Sequence, residues 1–225
     1  MVVGAGHPTG HGDESPARWG ELERWTRDHF DVESFDYRWS SQDHMSVDGL
    51  PYVGRSPRTA RTFVATGFNK WGLTNGTAAA HMLTNLVAGR DDPWLHAFDA
   101  TRIGGPATIT RLIKQNLHVA TRLVKDWAGR ISTRSVADLA PGDGGIVKAD
   151  RRTVAAYRGP DGSVQAVSPT CTHMGCTLSW NGAETSWDCP CHGSRFSTDG
   201  AVLAGPATTP LERIEVSSRL NRGGD

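Results

Sequence analysis

Long apolar runs are missing from this chain. No stretch approaches the roughly 18–20 residues that a membrane-spanning helix needs, and no basic start leads into an apolar segment, so no signal peptide is expected. Net charge is missing too. The 24 Lys and Arg balance 24 Asp and Glu, which leaves no electrostatic case for nucleic acid or an anionic membrane as partner. A soluble, cytoplasmic protein is expected. Cysteine is scarce and unevenly placed: all 4 lie within residues 171–191. The 8 tryptophans are spread along the chain and read as core and interface anchors. A length of 225 residues suffices for one large or two small domains.

The cysteine-bearing stretch carries the chemistry. Cys171-Thr172-His173 is followed after 15 residues by Cys189-Pro190-Cys191-His192. Each short Cys–His run fits one loop, and the intervening segment is long enough for a strand, a turn and a returning strand. Two loops at the tips of neighbouring hairpins would clamp a cofactor between them. Two thiolates and two imidazoles, Cys171, His173, Cys189 and His192, are the ligand set of a Rieske [2Fe–2S] centre, in which sulfur holds one iron and nitrogen the other. Zinc fits less well, because it commonly takes four ligands in one tetrahedron at C-x₂₋₄-C spacing. Two plain disulfides would leave His173 and His192 unexplained.

The full pattern, C-T-H-M-G-C and C-P-C-H-G-S, resembles Rieske proteins of the disulfide-bearing type, such as those of respiratory cytochrome bc complexes. The resemblance implies a Cys176–Cys191 disulfide locking loop to loop. Such a bond is unusual in the cytoplasm, where burial beside a cluster would protect it. It also implies roles for nearby residues. The Ser194 hydroxyl would donate to a cluster sulfur and raise the potential. That group usually has a tyrosine where Phe196 stands, so a less oxidising cluster is expected. Gly205-Pro206-Ala207 with Pro210 resembles the proline loop that covers the cluster.

Around this motif the sequence reads as β structure. Gly145–Lys148 and Thr153–Tyr157 are short β-rich runs, and Gly159-Pro160-Asp161-Gly162 is a turn signal. Asn181-Gly182 predicts a type I′ turn between the two loops, and Asp199-Gly200 another turn. Residues 131–225 thus predict a small antiparallel sandwich or barrel, as the Rieske resemblance implies. Upstream, Ile109, Leu112, Ile113, Leu117, Ala120, Leu123, Val124 and Trp127 recur at helical spacing. Pro106 suits the first turn of this connecting helix over 106–130, and Gly129 its stop.

Residues 1–105 mix strand and helix signals. Val2-Val3-Gly4-Ala5-Gly6 fails the dinucleotide fingerprint and is expected to be a loop. Ser15-Pro16 opens an expected helix with Leu22, Trp25 and Phe30 on one side. Thr62–Thr66 predicts a strand. The glycine-rich turn Gly67–Gly76 follows, then a helix with Thr or Asn at its cap, an arrangement that favours an anion through backbone N–H groups and the helix dipole. Gly67-Phe-x-x-Trp71-Gly-x-Thr74-Asn75-Gly76, with Trp39–Asp43 and Asp48–Gly54 before it, resembles the C-terminal part of FAD-dependent oxidoreductases of the D-amino-acid oxidase/glycine oxidase group. The resemblance implies FAD as a second cofactor, with Gly72, Leu73, Thr74, Asn75 and Gly76 nearest the flavin ring. A positive helix end there would stabilise the negative charge of reduced flavin near N1. The N-terminal dinucleotide fold of that group is not seen, so a truncated flavoprotein region or split enzyme is expected.

The expected architecture is therefore α+β: a flavoprotein C-terminal region over 1–105, the connecting helix, and an all-β Rieske domain over 131–225. The expected function is single-electron transfer between the cluster and a flavin, with a small amine-like substrate in the complete protein. The expected partner is a redox protein or the missing flavin domain. The alternative is a non-enzymatic electron carrier whose N-terminal half is a docking surface. A Rieske oxygenase would need a mononuclear iron held by two histidines and a carboxylate, yet the other 7 histidines are scattered over residues 7–118. A subunit of a respiratory complex would need a membrane anchor.

Overall fold

The computed structural model describes all residues except 7–14, 60, 104, 107, 114–133 and 217–225. The chain divides into two compact units, Ser40–His118, and Met1–Trp39 with Val119–Asp225. No described helix is long and apolar enough to cross a membrane.

The C-terminal β structure holds two antiparallel sheets. The first joins β3 (Gly144–Ala149), β4 (Arg152–Arg158) and β5 (Val164–Val167) in that order, and follows a short 3₁₀ turn at Val136–Asp138. In β4, Val154, Ala155 and Ala156 are all fully buried. Alternation along a strand sends them to opposite faces. Val154 and Ala156 join a core with Val136, Leu139, Val147 and Ala166, while Ala155 joins Trp187, Phe196 and the buried cysteines. The Gly159–Gly162 turn joins β4 to β5 as expected, with the Gly162 N–H donating to the Gly159 carbonyl at 2.9 Å.

The second sheet runs in the order β6 (Ser179–Asn181), β7 (Ser186–Asp188), β8 (Arg195–Phe196), β9 (Val202–Ala204). The Asp199-Gly200 turn lies between β8 and β9, with Gly200 at φ 92° and its N–H on the Ser197 carbonyl. The Asn181-Gly182 expectation needs correction. Asn181 is the last residue of β6 and pairs with Ser186, so the connection is four residues, 182–185, and no I′ pair forms. The Asn181 side-chain oxygen accepts from the N–H groups of Ala183 and Glu184, and Thr185 takes the positive φ. A side-chain cap thus replaces the tight turn.

The unit Ser40–His118 pairs β1 (Tyr52–Arg55) antiparallel with β2 (Phe63–Thr66). Helix α2 (Gly72–Val87) lays Ala79 and Met82 against Val53, with Phe68, Leu83, Leu95 and Phe98 around them. A short helix, α3 (Leu95–Phe98), follows. Arg102 staples this unit. It meets the Asp48 carboxylate with two N–H groups at 2.7 and 2.8 Å and donates to the Leu50, Pro51, Phe98 and Asp99 carbonyls. Its guanidinium lies 4.0 Å from the Tyr52 ring centroid.

Residues 1–6 have no regular structure, as expected, and α1 spans Ser15–His29. The expected apolar side of α1 leaves Trp25 and Phe30 largely exposed, with the Trp25 ring stacked on His29. Pro106 and residues 108–113 are helical. The remainder of the expected connecting helix, from Leu117 through Trp127 to Gly129, lies outside the described residues.

Candidate metal centre

Strand register explains why the two Cys–His runs meet. Ser179 at the start of β6 pairs with Asp188 at the end of β7. The chain entering β6 and the chain leaving β7 therefore emerge side by side. One loop, 171–176, is closed by the Thr170–Thr177 bridge, and the other, 189–194, by the Asp188–Arg195 pair.

The two loops share one backbone design. In the first, the Cys171 N–H donates to the Cys176 carbonyl and the Gly175 N–H to the Cys171 carbonyl, at 2.8 and 3.0 Å. In the second, the Cys189 N–H donates to the Ser194 carbonyl and the Gly193 N–H to the Cys189 carbonyl, at the same two distances. Gly175 and Gly193 hold equivalent places at φ 78° and 77°. This left-handed conformation strains any residue with a Cβ. Both loops also turn the N–H groups two and three residues on back toward the leading sulfur: His173 and Met174 to Cys171, Cys191 and His192 to Cys189. The sequence motif thus encodes a near two-fold pair of thiolate cradles.

Cys176 and Cys191 are joined by a disulfide that ties loop to loop. Cys171 and Cys189 remain as free, buried thiols and share a hydrogen bond. That bond, helped by N–H groups and the Ser194 hydroxyl, holds Cys171 down to about 6, and Cys189 as its donor is pushed up. The Sγ atoms of Cys176, Cys189 and Cys191 lie within 4.8 Å of one another. Two of that trio are consumed in the disulfide, so as it stands the trio is not a donor set, because a metal takes a thiolate. The His173 and His192 rings are 5.0 Å apart at an interplanar angle of 89°. His173 is exposed. His192 is half-buried, and burial first, then the neighbouring His173 charge, lowers its pKa.

One observation tests whether a cluster fits. The Nδ1 atom of His192 is buried and has no hydrogen-bond partner among the described residues. An orphaned ring nitrogen is costly unless something accepts its lone pair or proton. An iron atom would do so. With two sulfurs cradled by four N–H groups, the donor set fits a [2Fe–2S] cluster.

The surroundings come together as well. Ser194 is fully buried; its hydroxyl donates to Cys171 Sγ and its oxygen accepts the Ala207 N–H at 2.9 Å. The proline loop at Gly205-Pro206 is thereby tied to the thiolate loops. Thr172 adds a second tie, from its hydroxyl to the Thr209 carbonyl at 2.6 Å. Phe196 is fully buried against the core that carries Cys171 and Cys189. Sequence reading missed the ties of Thr172 to Thr209 and of Ser194 to Ala207, whose partners lie 37 and 13 residues apart with no periodic signal. It also missed Arg195, which bridges Glu184 and Asp188 at 2.6 and 3.2 Å beneath the second loop.

The flavin-side expectation meets a different geometry. Helix α2 begins at Gly72, so Thr74 and Asn75 lie inside its first turn and neither caps it; Trp71 stands at the cap with no side-chain bond. Asn75 is engaged elsewhere, donating to the Phe68 carbonyl at 3.1 Å. The chain reverses through Asn69 and Lys70, both at positive φ, so the turn forms without a polar cap. The consequence is open: the first-turn N–H groups lack a side-chain acceptor, Leu73 is 93% exposed, and a Cβ at Gly72 or Gly76 would meet nothing within 4 Å. Uncapped N–H groups beside glycines fit the polar edge of a flavin.

Comparison with known proteins agrees on both halves. The family model for the Rieske [2Fe-2S] domain matches residues 130–215, and that for FAD dependent oxidoreductases matches residues 1–86. YhfW of Bacillus subtilis, whose name places it with the Rieske 2Fe-2S iron-sulfur proteins, is 37% identical over 219 residues, 96% of this chain and 42% of its own. The cytochrome b6-f complex iron-sulfur subunit 1 of Synechocystis is 48% identical over 59 residues, 25% of this chain and 33% of the subunit. The plasma membrane Rieske protein PetC3 of Synechocystis, a solved structure, is 40% identical over 29% of this chain and 68% of its own, with a TM-score of 0.27. The chain spans less than half the length of the first two relatives. A Rieske domain implies a [2Fe–2S] cluster, and a flavin oxidoreductase region implies FAD. Residues 130–215 belong to the Rieske [2Fe–2S] domains, and residues 1–86 to the FAD-dependent oxidoreductases.

Proposed function

We propose that this chain relays single electrons between a Rieske cluster and a flavin. The observation that carries the reading is the joining of the two redox families in one chain of 225 residues. When bound, the cluster supplies a one-electron carrier and FAD a two-electron acceptor for a small amine-like substrate. Cys171 and Cys189 would hold one iron, and His173 and His192 the other. The four backbone N–H groups and the Ser194 hydroxyl stabilise added negative charge on the sulfurs. Phe196 excludes water beneath them, and Gly205-Pro206 covers one side. His173, exposed at the tip, is placed to pass its ring proton to solvent as electrons move. Gly72, Leu73 and Thr74 would approach the flavin ring through backbone N–H groups, with Asn75, whose own N–H donates to the Trp71 carbonyl, and Gly76 behind them.

Anaerobic stopped-flow experiments test the relay. The FAD-loaded full chain is mixed with a panel of D-amino acids and primary amines. Bleaching of the flavin followed by growth of a Rieske EPR signal supports it. Flavin bleaching that never reaches the cluster refutes it.

The exposure of Leu73 and Trp71 at the start of α2 favours a second reading. There the upstream region docks a redox protein and holds no flavin. Purified protein with a full cluster signal, no flavin absorbance and no uptake of added FAD selects it.

A further inference from the structure

We propose that the Cys176–Cys191 disulfide selects the metal these loops can hold, and that its reduction converts them into a four-thiolate site for a soft divalent cation, Zn²⁺. The inference goes beyond the Rieske reading and needs only the four sulfurs.

The argument starts from their crowding. Cys176, Cys189 and Cys191 bring their Sγ atoms within 4.8 Å of one another. Cys171 shares a hydrogen bond with Cys189, which places the fourth sulfur beside that corner of the trio. A tetrahedral zinc at about 2.3 Å from each sulfur sets them about 3.8 Å apart, so the trio closes with shifts on the order of 1 Å, and Cys171 joins it from its place beside Cys189. Cys171, Cys176 and Cys189 are buried, which keeps water from competing. The N–H groups already aimed at Cys171 and Cys189 would stabilise the net negative charge of such a site.

The disulfide is what withholds this site. While it is intact, only two sulfurs can become thiolates, and two imidazoles must complete any ligand set. A dithiol passes two electrons and two protons to the S–S bond and leaves as its own disulfide. Cys176 and Cys191 are then thiols. Cys176 and Cys191 would each give up a proton as a Zn–S bond forms. Cys171 and Cys189, thiolates already in the cluster-loaded chain, would exchange their Fe–S bonds for Zn–S bonds, with the two ferric irons and two sulfides released to solvent, so that His173 and His192 are no longer needed. Four soft sulfur donors suit zinc. In this way one pair of loops carries a redox-controlled choice between iron–sulfur and zinc chemistry.

The experiment uses the full cluster-loaded chain under anaerobic conditions, incubated with Zn²⁺ with and without tris(2-carboxyethyl)phosphine. Gel filtration follows, then metal analysis, EPR and alkylation mapping by mass spectrometry. With the phosphine we expect one retained Zn²⁺ per chain, loss of the Rieske signal, and protection of all four cysteines from alkylation. Without it we expect no retained zinc and an intact signal. His173→Ala should retain zinc with the phosphine as the wild type does, while Cys176→Ser should retain at least ten-fold less. Should Cys176→Ser not fold, the wild-type alkylation map still decides. Equal zinc with and without the phosphine, no zinc under either condition, or dependence on His173 overturns the proposal. A chain that shows no Rieske signal before any treatment fails the function proposed above instead, and its zinc uptake is read separately.

Discussion

The loops around Cys171 and Cys189 and the turn before α2 both present backbone N–H groups, yet they are held very differently. The loops are closed by paired backbone hydrogen bonds, a disulfide, the Ser194 tie to Ala207 and the Thr172 tie to Thr209. They stand on a core containing Trp187, Phe196 and Leu178. The α2 turn stands on a small core of Val53, Ala79 and Met82, and its tip is open, with Trp71 66% exposed. A cluster needs fixed ligands on all sides, so its site is built within one fold. The flavin edge proposed for the α2 turn would need only a few uncapped donors and open space.

Substitutions break or sharpen this contrast. The largest effect is expected at the imidazoles. His173→Ala or His192→Ala should abolish the Rieske EPR signal while leaving far-UV circular dichroism unchanged; a surviving signal would remove that histidine from the ligand set. Next comes the tie between loops. Cys176→Ser opens a loop of sequence separation 15, which costs about 3 kcal/mol and a Tm drop on the order of 10 °C. An unchanged Tm and potential would mean that the bond holds nothing together.

The contrast can also be broken from the other side. Arg102→Ala should destabilise the unit Ser40–His118 by about 2–3 kcal/mol, allowing for partial exposure of the pair. Hydrogen exchange in β1 and α2 should then rise, with the cluster signal untouched. The Arg102 guanidinium holds Asp48 down to about 2 from 3.8. Its contribution is fully present above the unfolded pKa and is lost as pH falls from about 4 through 2. Exchange in β1 that ignores this pH window would show the pair to be idle. The smallest effects are on potential. Ser194→Ala should lower it by on the order of 60 mV, the worth of one charge-assisted hydrogen bond. Phe196→Tyr should raise it by less. Voltammetry showing no shift in either variant would mean that side-chain donors do not set the potential here.

What the sequence disclosed follows from which interactions are local. The meeting of Cys171, His173, Cys189 and His192 is legible because donor type and short spacing mark each Cys–His run as one loop. Gly159–Gly162 and Asp199-Gly200 are legible because positive φ demands particular residues. Asn181-Gly182 misled because a side-chain cap on Ala183 and Glu184 competes with a tight turn, and composition alone does not separate them. The α2 cap misled for a related reason. Asn69 and Lys70 take left-handed backbone without glycine and shift the helix start to Gly72. The Asp48–Arg102 pair spans 54 residues and the Thr172–Thr209 tie 37, and no pattern in a single sequence marks partners so far apart.

The most direct test is metal and sulfide analysis with EPR on anaerobically purified full-length protein, prepared without thiol or phosphine reductant. Two irons and two acid-labile sulfides per chain, with a Rieske signal on reduction, are predicted. Zinc in their place, or no transition metal in well-folded protein, would contradict it.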